Sequence, residues 1–276
     1  MIISALILTF NEEDNLPACL QSLRWCDDII VFDSFSTDST VDIAKAHGAR
    51  VIQRAFDNEK LHREASLKLR FRHPWVYNPD ADEITTPELR DELLAVACDV
   101  ERPEVAYRVR FKTIFMGQWI QYSSLYPTWV VRLFRPEKIS FSRTINLEYK
   151  VDGPEGKLKS HFEHHTFNKG FNAWFEKHNT YSWHEAREAI GSLRSRNAVW
   201  KRVFSPSSVM RRRALKDLSF RLPFRPTLRF IYMYVIRGGF LDGVAGLIYC
   251  RLLAIYEYMI VLKMREIEKR ERGLSL

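Results

Sequence analysis

Ile2-Ile3-Ser4-Ala5-Leu6-Ile7-Leu8 runs directly into Thr9-Phe10-Asn11-Glu12, and Ile29-Ile30-Val31-Phe32 runs directly into Asp33-Ser34-Phe35-Ser36-Thr37-Asp38. Each is a β-rich apolar run that ends in a polar cluster. Between them, Leu16, Leu20 and Leu23 recur at helical spacing after Asn15-Leu16-Pro17. Strand, helix and strand in that order make a βαβ unit with parallel strands. The pattern then repeats. Thr40 to His47 reads as a helix stopped by Gly48, Val51-Ile52 as a short strand, and Lys60 to Arg70 as a helix. Trp75-Val76-Tyr77 is a fourth strand, followed by a third polar cluster, Asp80-Ala81-Asp82-Glu83. Pro87 opens a helix carrying Leu89, Leu93 and Leu94. The expected fold is α/β, a Rossmann-like, mostly parallel central sheet flanked by helices. Such sheets bind ligands beyond the carboxyl ends of their strands, which is where all three clusters fall.

The third cluster has the most specific chemistry. Two carboxylates one residue apart repel each other unless a cation or hydrogen-bond donors lie between them. Mg²⁺ and Mn²⁺ suit carboxylate oxygens, and Mg²⁺ commonly shares such sites with phosphates. Taken alone, Asp80-Ala81-Asp82 followed by Thr85-Thr86-Pro87-Glu88 also fits a turn and a helix cap; the two upstream clusters favour the cation.

Further along, Ala106 to Phe115 and Val130 to Phe134 read as strands. They enclose an aromatic loop with Trp119, Tyr122, Tyr126 and Trp129. This loop is either a packed cover or a surface on which sugar rings stack. After His161 the pattern turns helical.

The chain has 276 residues, 42 of them Lys or Arg and 34 Asp or Glu, a formal charge of +8. Between Arg194 and Phe230 eleven basic residues face one acid, Asp217, a local charge of +10 that leaves −2 for the remainder. A belt of this kind, with Arg211, Arg212, Arg213, Lys216, Arg221 and Arg225 at its centre, addresses an anionic surface, either phospholipid or nucleic acid. From Leu228 to Met264 the chain is apolar and aromatic with spaced charges, and Leu228, Ile231, Tyr232 and Val235 share a helix face. That combination suits helices lying on a bilayer with Arg and Lys reaching the headgroups. Arg237, Asp242, Arg251, Glu257 and Lys263 interrupt the run, so no transmembrane span is expected there. Lys263 to Arg272 reads as a solvated helical tail. The apolar start lacks a basic flank and is read as a buried strand rather than a signal peptide. Cys19, Cys26, Cys98 and Cys250 form no Cys-x-x-Cys pair and are expected as buried free thiols in a reducing cytoplasm.

Thr9-x-Asn11-Glu12, Asp33-Ser34-x-Ser36-Thr37-Asp38 and Asp80-Ala81-Asp82-Glu83 together resemble the signature of family 2 inverting glycosyltransferases of the GT-A fold. The subgroup it is most similar to extends bacterial lipopolysaccharide core or exopolysaccharide. Arg132-Leu133-Phe134, the segment with His164, Lys177-His178-Asn179-x-Tyr181-Ser182 and Gly238-Gly239-Phe240-Leu241-Asp242-Gly243 share the likeness, so it covers most of the chain.

The resemblance implies a catalytic domain over residues 1–190, with a nucleotide-sugar half to about 100 and an acceptor half beyond. It also implies a basic, amphipathic, membrane-associating helical extension over 191–276. Thr9, Asn11, Glu12, Asp33 and Ser36 would bind the nucleotide side of a UDP-sugar, and Asp80 its ribose and sugar. Asp82 would hold Mn²⁺ or Mg²⁺ with His164 completing the site, unless that histidine is structural. Arg63 would meet the diphosphate, or lie on a solvated helix face. Glu148 is the favoured general base, with Asp152 and Glu155 as the other candidates, and Trp119, Tyr122 and Trp129 would meet the acceptor. Two departures stand out. Leu147 occupies a position where the subgroup often has His, and Leu61-His62-Arg63-Glu64 replaces a Gln-Lys-Asn type sequence.

The expected acceptor is a lipid-linked saccharide or lipopolysaccharide core, and the expected location the cytoplasmic face of the bacterial inner membrane. A sugar nucleotidyltransferase is the alternative enzyme, but Thr9 to Leu16 contains no glycine for a phosphate loop. A nonenzymatic nucleic-acid-binding module would use the belt and leave the strand-end clusters unexplained.

Overall fold

The computed structural model describes residues 2–142, 147–194, 211, 220, 222 and 224–275. The chain divides into two units: Met1–Trp119 with Leu125–Asn168, and Ile120–Ser124 with Lys169–Leu276. The division falls earlier than residue 190.

The first unit begins as the alternation predicts. β1 (Ile3–Thr9), α1 (Leu16–Ser22), β2 (Ile29–Asp33), α2 (Thr40–Ala46), β3 (Arg50–Gln53), α3 (Glu59–Ser66) and β4 (Trp75–Tyr77) follow in turn. Next come β5 (Glu83–Thr85), α4 (Pro87–Cys98), β6 (Ala106–Phe115), β7 (Gln118–Trp119) and β8 (Trp129–Phe134). The unit closes with β9 (Ile139–Ser142), β10 (Glu148–Val151) and β11 (Glu155–His165). The main sheet has the order β3-β2-β1-β4-β8-β6-β11-β5, with β7 added to β6. Its β3-β2-β1-β4 half is parallel. Beyond β4 the pairing is mixed, because β8 runs antiparallel to both neighbours while β6 and β11 are parallel. β9 and β10 form a separate antiparallel pair.

Strand alternation sends β1 side chains to both faces. Ile3 and Ile7 join Leu16, Leu20, Leu89 and Phe162 on one side, while Leu6 meets Phe32, Val76 and Phe134 on the other. Both faces are covered, which is why β1 and β2 read as continuous apolar runs.

Two boundaries differ from expectation. α3 stops at Ser66, short of Arg70. The chain after His161 is still strand, and the helix begins only at Gly170. β11 is rich in Lys, Glu and His and buries only Leu158 and Phe162 fully, so its polarity concealed a strand paired on both sides. Cys19, Cys26 and Cys250 are buried free thiols, whereas Cys98 at the end of α4 is exposed.

The second unit contains α5 (Gly170–Arg194), α6 (Arg225–Ile231), a π-helical turn (Tyr232–Ile236), a 3₁₀ turn (Gly239–Asp242) and α7 (Gly243–Glu271). Ala186, Ala189 and Ile190 of α5 pack against Ile260 and Met264 of α7. Lys263 donates to the Asn179 carbonyl, to Asn179 Oδ1 at 2.6 Å and to Ser182 Oγ at 2.8 Å. His178 stacks on Trp174 and meets Tyr256 edge-on. The Lys177–Ser182 motif is thus part of a helix clamp, and the segment expected as a solvated tail is docked where Lys263 and Met264 face α5.

One observation in this region bears on the expectation of no span, and one expectation needs correction. Gly239–Glu271 is long and apolar enough, with mean hydropathy 1.6 in its best window, to cross a membrane by length and composition. Arg251 and Glu257 are too widely spaced to exclude that. Arg225, expected at a membrane surface, is buried; it pairs with Glu257 at 2.8 Å and lies over the Phe220 ring at 3.7 Å. Its guanidinium is therefore committed inside the fold. Arg211 is helical and exposed, and Arg212, Arg213, Lys216 and Arg221 lie outside the described residues.

The turn between α6 and α7 is tightly built. Gly238 has φ +77°, the left-handed region that favours glycine. A Cβ on Gly246 would stand 2.2 Å from the Gly239 carbonyl oxygen. Gly246→Ala is expected to lower stability by about 1–3 kcal/mol through this forced overlap, read by chemical denaturation. An unchanged midpoint would show that the turn yields at no cost.

Candidate active site

Parallel pairing of β1 with β2 sets Thr9 opposite Asp33 at the carboxyl end of the sheet. Asp33 is buried and fully engaged. It accepts from Thr9 Oγ1 at 3.0 Å, from the Ser36 amide at 2.9 Å, from Ser36 Oγ and from Gln53 Nε2 at 3.0 Å. Burial pushes its carboxyl up, but these donors outweigh burial and hold it below the usual range. Asn11, with φ +53°, receives the Thr37 amide at 2.8 Å on Oδ1, and its own amide donates to Ser36 Oγ at 2.9 Å. The Glu12 amide donates to Thr40 Oγ1 at 2.7 Å, and its side chain accepts from Asn15. The first two clusters therefore form one interlocked pair of loops.

The third cluster is joined to β1 through Asn78 and to α3 through Arg63. Asn78 Nδ2 donates to the Leu6 carbonyl at 2.6 Å, tying the loop after β4 to β1. Arg63, on α3, reaches Asp80 at 3.7 Å and Tyr149 Oη at 3.2 Å. Its side chain is largely buried, so it faces the cluster rather than solvent.

Arg132 holds the centre. Its Nη2 contacts Asp80 Oδ2 and Glu83 Oε1, each at 2.5 Å. Burial raises Asp80, but Arg132, Arg63 and His164 outweigh it and keep the carboxyl below the usual range. Burial dominates at Glu83, which is pushed up to about 7 despite Arg132. Arg132 remains charged, because the two carboxylates more than offset its own desolvation.

Asp82 acquires its partner through strand pairing. β11 lies antiparallel to β5, with His164 opposite Glu83. His164 Nε2 comes within 3.3 Å of Asp82 Oδ2, and the His165 amide donates to the Asp82 carbonyl at 2.9 Å. Burial pushes His164 down, but Asp82 outweighs it and leaves the imidazole above its ordinary range. His164 Nδ1 is buried with no hydrogen-bond partner.

Among the described residues no group of three or more His, Cys, Asp or Glu is arranged to hold an ion. One carboxylate and the imidazole nitrogen that approaches it would fit a cation whose remaining ligands are phosphate and water.

The other expected residues are more dispersed. Glu148 is exposed on β10, while Tyr149, on the opposite face of that strand, is the neighbour that reaches Arg63 and Asn78. Asp152 pairs with Lys138 at 3.3 Å and Glu155 with Arg108 at 2.6 Å. Trp119 and Trp129 belong to the first unit and Tyr122 to the second. Lys112 covers one face of Trp119 at 4.5 Å, and Arg110 and Lys157 lie by Trp129.

Sequence reasoning missed the roles of Arg132, Glu83, Asn78 and Tyr149. The detectable signal was Arg132 itself, a charge between Val131 and Leu133 in an apolar strand, which requires a buried partner.

A sheet with interlocked polar loops at its strand ends and an Asp-x-Asp turn beside a histidine is the architecture of a GT-A glycosyltransferase. The chain belongs to Glycosyl transferase family 2, whose sequence model matches residues 4–218. It is 26% identical over 281 residues to an uncharacterized glycosyltransferase of Rickettsia typhi, covering 99% of this chain and 89% of that protein. It is 23% identical over 272 residues to the lipopolysaccharide core biosynthesis glycosyltransferase LpsC of Rhizobium meliloti, covering 95% and 91%. Among solved structures, S. aureus TarS 1-349 aligns over 99% of this chain and 92% of that one, at 15% identity and TM-score 0.45. Family membership makes the chain a glycosyltransferase and displaces the nucleotidyltransferase and nucleic-acid readings.

Proposed function

We propose that the enzyme transfers a sugar from a UDP-sugar to a lipid-linked saccharide or lipopolysaccharide-core acceptor, inverting the anomeric centre, at the cytoplasmic face of the bacterial inner membrane. The observation that carries the chemistry is the approach of His164 to Asp82 beside the Asp80–Arg132–Glu83 cluster. The likeness to LpsC supports the acceptor class.

In this reading the Thr9–Glu12 and Asp33–Ser36 loops hold the nucleoside. Asp80 faces ribose and sugar, and Arg63 lies toward the diphosphate. Asp82 and His164 hold Mn²⁺ or Mg²⁺, which supplies positive charge to the departing diphosphate. Trp119, Tyr122 and Trp129 serve the acceptor. Glu148 takes the proton of the acceptor hydroxyl as its oxygen bonds to the anomeric carbon and the bond to UDP breaks. The transition state resembles that of glycoside hydrolysis, with oxocarbenium character.

Glu148→Gln is expected to retain donor binding by thermal shift but to lose transfer by about 10²–10⁴-fold, the usual contribution of a general base. Full activity in that variant would move the role to Asp152 or Glu155.

A further inference from the structure

The turn between α6 and α7 exposes an unusual set of side chains. Within ten residues Val235, Ile236, Phe240, Leu241 and Val244 are 56%, 71%, 52%, 59% and 71% exposed. Large apolar side chains grouped this way mark an interaction surface rather than ordinary surface composition. From Phe224 to Tyr256 the sequence holds one acid, Asp242. That carboxylate is buried, accepting the backbone amides of Gln121, Tyr122 and Ser123 at 3.0, 3.0 and 2.8 Å and Ser123 Oγ at 2.6 Å. The turn therefore presents no negative charge outward. The same stretch holds four arginines: Arg225 is buried against Glu257, Arg229 and Arg237 are half-buried, and Arg251 is exposed.

This pattern selects one occupant. An apolar tip in a stretch whose one acid is buried and whose half-buried and exposed charges are arginines complements an anionic lipid leaflet, into which apolar side chains enter while arginines meet headgroups. A second copy would bring like cations together. The occupant also bears on the acceptor. Asp242 ties the backbone of residues 121–123 to this turn, and a Cβ on Gly238 would lie 3.6 Å from the Tyr122 ring. Tyr122 thus stands at the base of the tip, the level at which aromatic residues favour the membrane interface.

We propose that Val235–Val244 is a wedge that inserts into an anionic leaflet, and that it sets residues 121–123 at headgroup height for acceptors whose saccharide begins there. The second clause rests on the lipid-linked acceptor reading above. The wedge differs from the basic belt, since its anchor is apolar and its insertion shallow.

The test uses the full-length protein and vesicles of phosphatidylethanolamine with phosphatidylglycerol. Ile236→Asp and Leu241→Asp, separately and together, are expected to lower the partition coefficient at least about tenfold, with melting unchanged. Val100→Asp, at an exposed site in the first unit, controls for added charge. KM for lipid-linked acceptor in vesicles should rise, while donor KM and transfer to a water-soluble saccharide stay constant. Unchanged partition overturns the wedge. So does a dimer that the same variants dissociate, or protein that resists alkaline carbonate extraction as a spanning α7 would. If vesicle binding falls as expected but only soluble saccharides are ever used, the wedge stands and the acceptor reading fails.

Discussion

Replacing Asp82 with Ala is expected to lower sugar transfer about a thousandfold or more while leaving the melting temperature near that of the parent. The size follows from where charge develops. Departure of the proposed UDP leaving group would concentrate negative charge on a diphosphate, and the cation proposed to offset it would have two protein ligands, Asp82 and His164. Removing one of two leaves an imidazole, which holds Mg²⁺ poorly without a carboxylate. Stability should change little, because the Asp82 side chain is partly exposed and its recorded side-chain contact is His164 at 3.3 Å. The check is an initial-rate assay with Mn²⁺, with Mg²⁺ and with chelator, alongside a thermal melt. Turnover within a few-fold of the parent, still abolished by chelator, would move the cation elsewhere. Loss of the fold would show that Asp82 is structural.

Arg132→Met has the opposite signature, a large loss of stability. Arg132 is the buried counter-charge for Asp80 and Glu83, each at 2.5 Å. Breaking a buried pair by removing one partner typically costs about 3–5 kcal/mol, because a charge is left without compensation. In a chain of this length that lowers the melting temperature by on the order of 10 °C. The mechanism can be isolated with a second substitution. Adding Glu83→Gln removes one stranded carboxylate, so the double variant should melt above Arg132→Met. A single variant that melts within about 2 °C of the parent refutes the claim. A double variant that is additively worse assigns the loss to packing instead.

The N-terminal half of the fold was legible because its strands are covered on both faces. Apart from Ser4, which donates to Asp28, Ile3 to Ile7 and Ile30 to Phe32 are apolar, and polar residues appear abruptly at the strand ends, where such sheets bind ligands. β11 was harder to read. Its side chains are largely polar, and it is held in place by pairing with β6 and β5, which leaves little trace in composition. For the same reason the closeness of Asp82 and His164 is a product of strand register rather than sequence spacing. Asp33, Ser36 and Thr9 were found as candidates, but their hydrogen bonds to one another show that part of their work is to hold the loops. The basic belt concealed a different distinction. Arg225 counts toward +10 in the sequence, yet in the fold its charge is taken up by Glu257. Exposure, unlike charge, cannot be counted along a chain.

The position of β11 has a consequence for how the enzyme comes into being. Among the described residues β5 has its sheet partner in β11 alone, and the imidazole beside Asp82 belongs to that same strand. Residues 1–100 contain all three strand-end clusters, but on a ribosome they emerge as a half-built sheet with β5 lacking a neighbour. Pairing that spans so much sequence is slow, and unpaired strands awaiting it invite aggregation. A fragment cut at residue 100 is therefore a poor route to an isolated nucleotide-binding module. It also follows that the nascent chain cannot complete its proposed cation site until synthesis has passed His165. Any activity that depends on the proposed site thus arrives only after β6, β8 and β11 have been made.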